Sequence, residues 1–238
     1  MKSYQGRVIR CCARLGNSVT SLVAIGIVLF LATPAQSQSS DRPGNRPITL
    51  VAFGDSLTAG YLLPPSAAFP AQLQVALADK GYKVEIVNAG VSGDTTSGGL
   101  ERIEWTLQAP ADGIILELGA NDALRGTDPK VPRENLGKIL GSLKSKGLDV
   151  LLAGMRAPQN WGPEYAKEFD AIFPELAAKH AVPLYPFFLD GVALDPVFVM
   201  QDGLHPTEKG VAEIVRRILP DVIAMVQKIA ERKAASSK

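Results

Sequence analysis

Ile48-Thr49-Leu50-Val51-Ala52-Phe53-Gly54-Asp55-Ser56-Leu57 is an apolar run of strand length that breaks at a glycine and passes through Asp-Ser into a helix start. A strand apolar on both faces is buried on both faces. Comparable runs follow at Lys83 to Asn88, Gly113 to Leu118, Asp149 to Ala153 and, shorter, Leu184 to Phe187. Between them apolar residues fall at helical spacing: Phe69, Leu73, Ala76 and Leu77, then Leu136, Ile139, Leu140 and Leu143, and finally Val211, Ile214, Val215, Ile218 and Leu219. Lys80-Gly81 and Lys146-Gly147 read as helix ends, each with a cation beside a glycine that can take a left-handed cap. Repeated strand-helix units predict an α/β fold, a five-stranded parallel sheet with helices on both sides.

In such a sheet ligands bind beyond the carboxyl ends of the strands. Ser56 follows the first strand, Gly93 the second and Asn121 the third. A serine hydroxyl is a poor nucleophile at neutral pH and needs an imidazole, usually oriented by a carboxylate. The histidines are His180 and His205. Asp202-Gly203-Leu204-His205 puts a carboxylate and an imidazole on one loop ahead of the last helix, so Ser56, Asp202 and His205 form the candidate catalytic set. His180 closes an amphipathic helix, where a histidine interacts favourably with the helix dipole. Taken singly, Gly-Asp-Ser could equally be a capped turn, and Asp202 a turn residue before Pro206-Thr207-Glu208. The site is not the G-x-S-x-G elbow, because position 58 is threonine.

A tetrahedral acyl intermediate also needs oxyanion donors. The Ser56 amide, the Gly93 amide and the Asn121 side chain are the candidates, with Gly90 as the other glycine amide in Asn88-Ala89-Gly90-Val91-Ser92-Gly93-Asp94-Thr95. That segment lacks the lysine of a P-loop and the spacing of a dinucleotide fingerprint.

The chain begins with Lys2, Arg7, Arg10 and Arg14, an apolar stretch from Leu22 to Ala32, and Thr33-Pro34-Ala35. This order reads as a secretory signal peptide over residues 1–35, with an uncleaved membrane anchor as the alternative. The apolar stretch is short for a bilayer span, which needs about 20 residues. Losing the leader removes four basic and no acidic residues and takes the formal charge from +1 to −3. A negative chain without a Lys/Arg stripe is not expected to bind nucleic acid, nor to remain inserted in a membrane once the leader is gone. Cys11 and Cys12 both leave with the leader. Disulfides, thiolate metal sites and a cysteine nucleophile are thereby excluded, and two histidines supply no usual zinc cluster. Neither a metal nor a cofactor is expected. Residues 36–46 read as a flexible lead-in, 47–230 as one domain and 231–238 as a mobile, fraying tail.

These blocks together resemble the SGNH, or GDSL, hydrolase family. The matching segments are Gly54-Asp55-Ser56-Leu57, Ser92-Gly93-Asp94, Gly119-Ala120-Asn121-Asp122 and Asp202-Gly203-Leu204-His205. Longer stretches, including Glu117 to Gly126 and Val182 to Phe188, are most similar to the family's periplasmic thioesterase, lysophospholipase and arylesterase branch. The resemblance spans about residues 48 to 220 and implies a flavodoxin-like three-layer α/β/α sandwich. It also implies cofactor-free hydrolysis of a small ester or thioester, in the periplasm or outside the cell, and a mobile loop at Ala123 to Asp128 over the acyl group. Ala120 stands where that branch commonly has a second glycine. Leu57, Leu124, Met155, Trp161, Tyr165, Phe198 and Leu204 are candidates for an acyl or aryl pocket. A carbohydrate O-acetyl esterase or acyltransferase would use the same residues, and a non-catalytic binding protein would keep the fold without the chemistry.

Overall fold

The computed structural model describes residues 46–236; the leader and all of the lead-in except Arg46 lie outside the described residues. The elements in chain order are β1 (Ile48–Gly54), α1 (Ser56–Ala59), α2 (Phe69–Asp79), β2 (Val84–Gly90), α3 (Thr96–Thr106), β3 (Gly113–Glu117) and α4 (Ala120–Leu124). There follow α5 (Lys130–Ser145), β4 (Asp149–Ala153), α6 (Pro163–Asp170), α7 (Ile172–His180), β5 (Leu184–Tyr185) and α8 (Glu208–Ser236). All five strands run parallel, in the order β2-β1-β3-β4-β5. This is the flavodoxin-like order, and its direction of winding reverses between β1 and β3, where a crevice opens.

The alternation of apolar runs explains the layers. Leu50, Phe53, Ile114, Ile115, Leu116, Leu151 and Leu152 of the central strands are all buried. Each such side chain contributes about 1.5–3 kcal/mol by leaving water. Helices α2 and α8 pack on one another and on the sheet, while α3, α5 and α7 pack in succession. The inward residues expected at helical spacing, such as Leu73, Leu77, Leu136, Ile139, Ile214 and Ile218, are buried as required. Gly81 and Gly147 take φ of +84° and +71° just past α2 and α5, the left-handed caps that their cation-glycine pairs predict.

Two glycines let α1 settle onto the strand ends. A Cβ on Gly54 would lie 2.1 Å from Thr58 Oγ1 and 2.5 Å from Glu117 Oε2, and one on Gly90 would lie 2.2 Å from the Ala59 nitrogen. Neither position has room for a methyl group, so the turn carrying Ser56 is pressed against β1, β2 and β3.

Two expectations are corrected. The last strand stops at Tyr185 rather than Phe187, because Pro186 has no N–H to give the ladder. The second strand is not buried on both faces: it is the sheet edge, and α3, whose Gly99 faces Leu118 and Phe53, crosses the sheet further in, so Glu85 and Val87 stay exposed. Residues 231–236, read as part of the tail, form the end of α8, which continues to Ser236. Lys233 pairs with Asp112 at 2.9 Å, and Arg232 donates to the Gly147 carbonyl at 2.9 Å, so cations hold that last turn on the loops entering β3 and β4.

Candidate active site

Ser56 is the first residue of α1, and Asp55 caps it, its Oδ1 accepting from the Leu57 amide at 2.9 Å. The cap holds the serine at the carboxyl end of β1, nearly buried. On the far side of the sequence, Asp202 organises its own loop: Oδ1 accepts from the Leu204 and His205 amides at 2.9 and 3.0 Å. The Met200 amide closes that loop onto the His205 carbonyl at 2.7 Å. Asp202 Oδ2 then lies 2.7 Å from His205 Nδ1, and His205 Nε2 lies 2.9 Å from Ser56 Oγ. With the proton on Nδ1 facing the carboxylate, Nε2 offers its lone pair to the serine hydroxyl. Amide donation from Leu204, the His205 ring and the His205 amide hold the Asp202 carboxyl at about 2, so it is ionised at any ordinary pH.

His180 lies elsewhere. It ends α7 on the side of the sheet where β5 begins, opposite the strand ends that carry Ser56, and burial, with Lys179 and Lys144 nearby, pushes its pKa down.

The three candidate oxyanion donors gather on the Ser56 side. Neither the Ser56 nor the Gly93 amide has an acceptor among the described residues. Gly93 has φ of +80°, and Arg125 donates to its carbonyl at 3.1 Å. Asn121 Nδ2 donates to Asp55 Oδ2 at 3.1 Å and to the Asp94 carbonyl at 2.9 Å. The rival amide of Gly90 already donates to Asn88 Oδ1 at 3.0 Å. Asp122 ties α4 to the start of α3, accepting from the amide and hydroxyl of Thr96 at 2.8 Å each.

Beneath the serine lie two buried carboxyl groups. Glu117 Oε2 accepts from the Thr58 hydroxyl at 2.8 Å and the Asp55 amide at 3.3 Å, while Oε1 has no partner among the described residues. Burial, reinforced by the Asp55 charge, raises Glu117 well above the usual carboxyl range. Burial also raises Asp55 to about 6, against the lowering effect of the Leu57 and Asn121 hydrogen bonds. A raised acid favours folding in its protonated form. The Asp55 contribution is therefore complete below 3.8 and is lost as pH climbs to about 6. The stability of the wild type relative to Asp55→Asn is expected to fall by on the order of 2–3 kcal/mol over that window, read by urea unfolding at a series of pH values. A pH-independent difference would show that Asp55 titrates normally.

The candidate pocket residues divide. Leu57 joins Ser56, Gly60, Tyr61, Leu63 and His205 around a narrow pocket at the serine. Leu124 and Leu204 are exposed, Met155 is buried in the core, and Phe198 is half-buried against it. Trp161 lies over Gly126, whose added Cβ would come 2.9 Å from the indole ring, and Tyr165 Oη donates to the Thr127 carbonyl at 2.9 Å. Both aromatics thus touch the segment that follows Asn121. An open groove of ≈ 440 Å³ runs beside the histidine loop, along Leu194, Pro196, Val199, Met200 and Gly203. A roomier one of ≈ 550 Å³ between α5 and α7 is lined by Arg133, Glu134, Lys138, Glu175 and Lys179 and shares no lining residue with the pocket at the serine. Among the described residues no group of three or more His, Cys, Asp or Glu could hold a metal ion.

The sequence model of the GDSL-like Lipase/Acylhydrolase family matches residues 52–212, which take in the end of β1, the serine turn, the asparagine turn and the histidine loop. The chain belongs to this family. Among its GDSL relatives, the arylesterase of Vibrio mimicus is 40% identical over 199 residues, covering 82% of this chain and 96% of the relative. Thioesterase 1/protease 1/lysophospholipase L1 of Escherichia coli K12 is 43% identical over 160 residues, covering 66% and 75%. Among solved structures, the SGNH-hydrolase family esterase AlinE4 superimposes with a TM-score of 0.65 at 45% identity, covering 75% of this chain and 96% of that one.

Within this GDSL frame, reading the residues alone gave no role to several that the site uses. Tyr61 lays its ring 4.5 Å from that of His205, and only its place shortly after the serine pointed to it. Glu117 was legible as a strand end, yet an acid closing an otherwise apolar run was the available signal. Arg102 and Arg125 carried none beyond their position after the glycine-rich and asparagine blocks.

Proposed function

We propose that this chain is a serine carboxylic ester hydrolase, active on aryl and acyl esters and on thioesters, and that it works in the periplasm or outside the cell. The observation that carries the reading is the line from Asp202 to His205 to Ser56, at 2.7 and 2.9 Å. Ser56 Oγ attacks the acyl carbonyl as His205 Nε2 takes its proton. His205 returns that proton to the departing alcohol or thiol, and water activated by the same nitrogen then releases the acyl group from Ser56. Asp202 fixes the tautomer and balances the imidazolium. The amides of Ser56 and Gly93 and the Asn121 Nδ2 donate to the oxyanion. Asn121 already spends both hydrogens on Asp55 and Asp94, so one of those bonds is shared as the oxyanion forms.

The names of the relatives support the substrate classes, and the leader supports the compartment. No helix among the described residues is long and apolar enough to cross a membrane. The test is hydrolysis of p-nitrophenyl esters from acetate to palmitate by the purified mature protein, with palmitoyl-CoA and a lysophospholipid alongside and Ser56→Ala as control. Ser56-dependent turnover is expected across several acyl lengths. Turnover no greater than that of the variant overturns the reading, and a strict acetyl preference redirects it to a sugar-ester enzyme.

A further inference from the structure

Arg102 lies on α3, with a side chain 19% exposed. Its guanidinium makes three bonds in different directions: Nε to Asp94 Oδ2 at 2.7 Å, one terminal nitrogen to the Ala89 carbonyl at 2.9 Å, and the other to the Gly54 carbonyl at 2.9 Å. Its flat face lies 3.9 Å from the centre of the Phe53 ring. The acceptors are not equivalent. Gly54 ends β1 and precedes Asp55-Ser56; Ala89 is near the end of β2; Asp94 follows Gly93 and offers its carbonyl to Asn121. One side chain therefore bonds to the residue two before Ser56, to the end of β2, and to Asp94, which follows Gly93 and accepts from Asn121. Asp94 is itself confined: a Cβ on Gly98 would lie 2.0 Å from its Oδ1, so that carboxylate packs directly on the α3 backbone.

We propose that Arg102 is a positioning residue that sets the spacing of the oxyanion donors of Ser56, Gly93 and Asn121, by clamping the Gly93–Asp94 turn to the ends of β1 and β2. The inference rests on the esterase reading. A fixed planar fork is what three divergent acceptors require, and a lysine offers a single ammonium that cannot reach all of them. Donors preset for the transition state act on kcat, whereas a displaced turn leaves ground-state binding of the ester largely unchanged.

The experiment compares wild type, Arg102→Lys and Asp94→Asn. The end-point of reaction with an organophosphonate counts the folded, competent sites, and kcat and KM are expressed per counted site. Arg102→Lys is expected to lose about 10–100-fold in kcat per site with KM changed less than about 3-fold. Its rate of phosphonylation should fall in parallel, because that adduct is also tetrahedral. Asp94→Asn, which keeps the shape and weakens the charge-assisted bond, should move the same way by about 3–10-fold. Methylguanidinium should restore part of the rate to Arg102→Ala. A purely structural role would lower the number of competent sites and leave each of them at full rate. Unchanged kcat per site in both variants, with an active wild type, overturns this inference alone. A wild type without Ser56-dependent turnover overturns the esterase reading and this inference with it.

Discussion

Ser56→Ala and His205→Ala each lower kcat on an aryl ester by about 10⁵–10⁶-fold, and the double variant is no worse than either single one. The second half of that expectation is the more discriminating. If Nε2 acts only by taking the Ser56 proton across 2.9 Å, removing either partner ends the same step, and there is nothing left for the second change to remove. Independent contributions would instead multiply. The fold gives both substitutions little reason to disturb anything else: the Ser56 hydroxyl bonds to His205, and the loop around His205 is held by its backbone and by Asp202. Thermal unfolding close to wild type is therefore part of the expected result. Full activity in folded His205→Ala sinks the base assignment, and His180 would be the next residue to test.

Asp202→Asn is expected to cost about 10³–10⁴-fold in kcat, less than loss of the base but more than loss of one oxyanion donor. An asparagine can keep one oxygen on the Leu204 and His205 amides and so preserve the loop. Its amino group then faces Nδ1, which must accept, and the ring proton moves to Nε2. In that tautomer the imidazole presents a donor to Ser56 and cannot take its proton. Because Asp202 is held at about 2, a loss of wild-type activity on mild acidification would not report this carboxylate. The kinetic measurement is kcat of Asp202→Asn against pH. A loss of less than about 10-fold would mean that Asp202 only shapes the loop.

Much of this was legible in the residues, for reasons that can be stated. Leu50 to Phe53 and Gly113 to Leu116 read as strands because burial on both faces leaves no polar side chain to confuse the period. The candidate catalytic positions stood out because short loops at strand ends carry them as contiguous motifs. Pro186 was visible, but an edge pairing of two residues depends on what β4 offers across the gap, and no local pattern encodes that. The helical last turn of α8 was not legible because Asp112 and Gly147, which bond to Lys233 and Arg232, are far away in sequence. Arg102 is the same case inside the site, since two of its three acceptors are backbone carbonyls, which exist at every position and leave no mark in a sequence.

The anchoring of that last turn also fixes which way the molecule faces. Arg46, just ahead of β1, and Lys233, near the end of α8, both pair with Asp112, so the described chain enters and leaves at one pole of the sheet. Ser56, Asn121 and His205 sit at the other pole. A linker or a solid support attached at Arg46 or at Lys233 would therefore hold the crevice pointing outward into solution, which makes those two positions interchangeable as points of immobilisation.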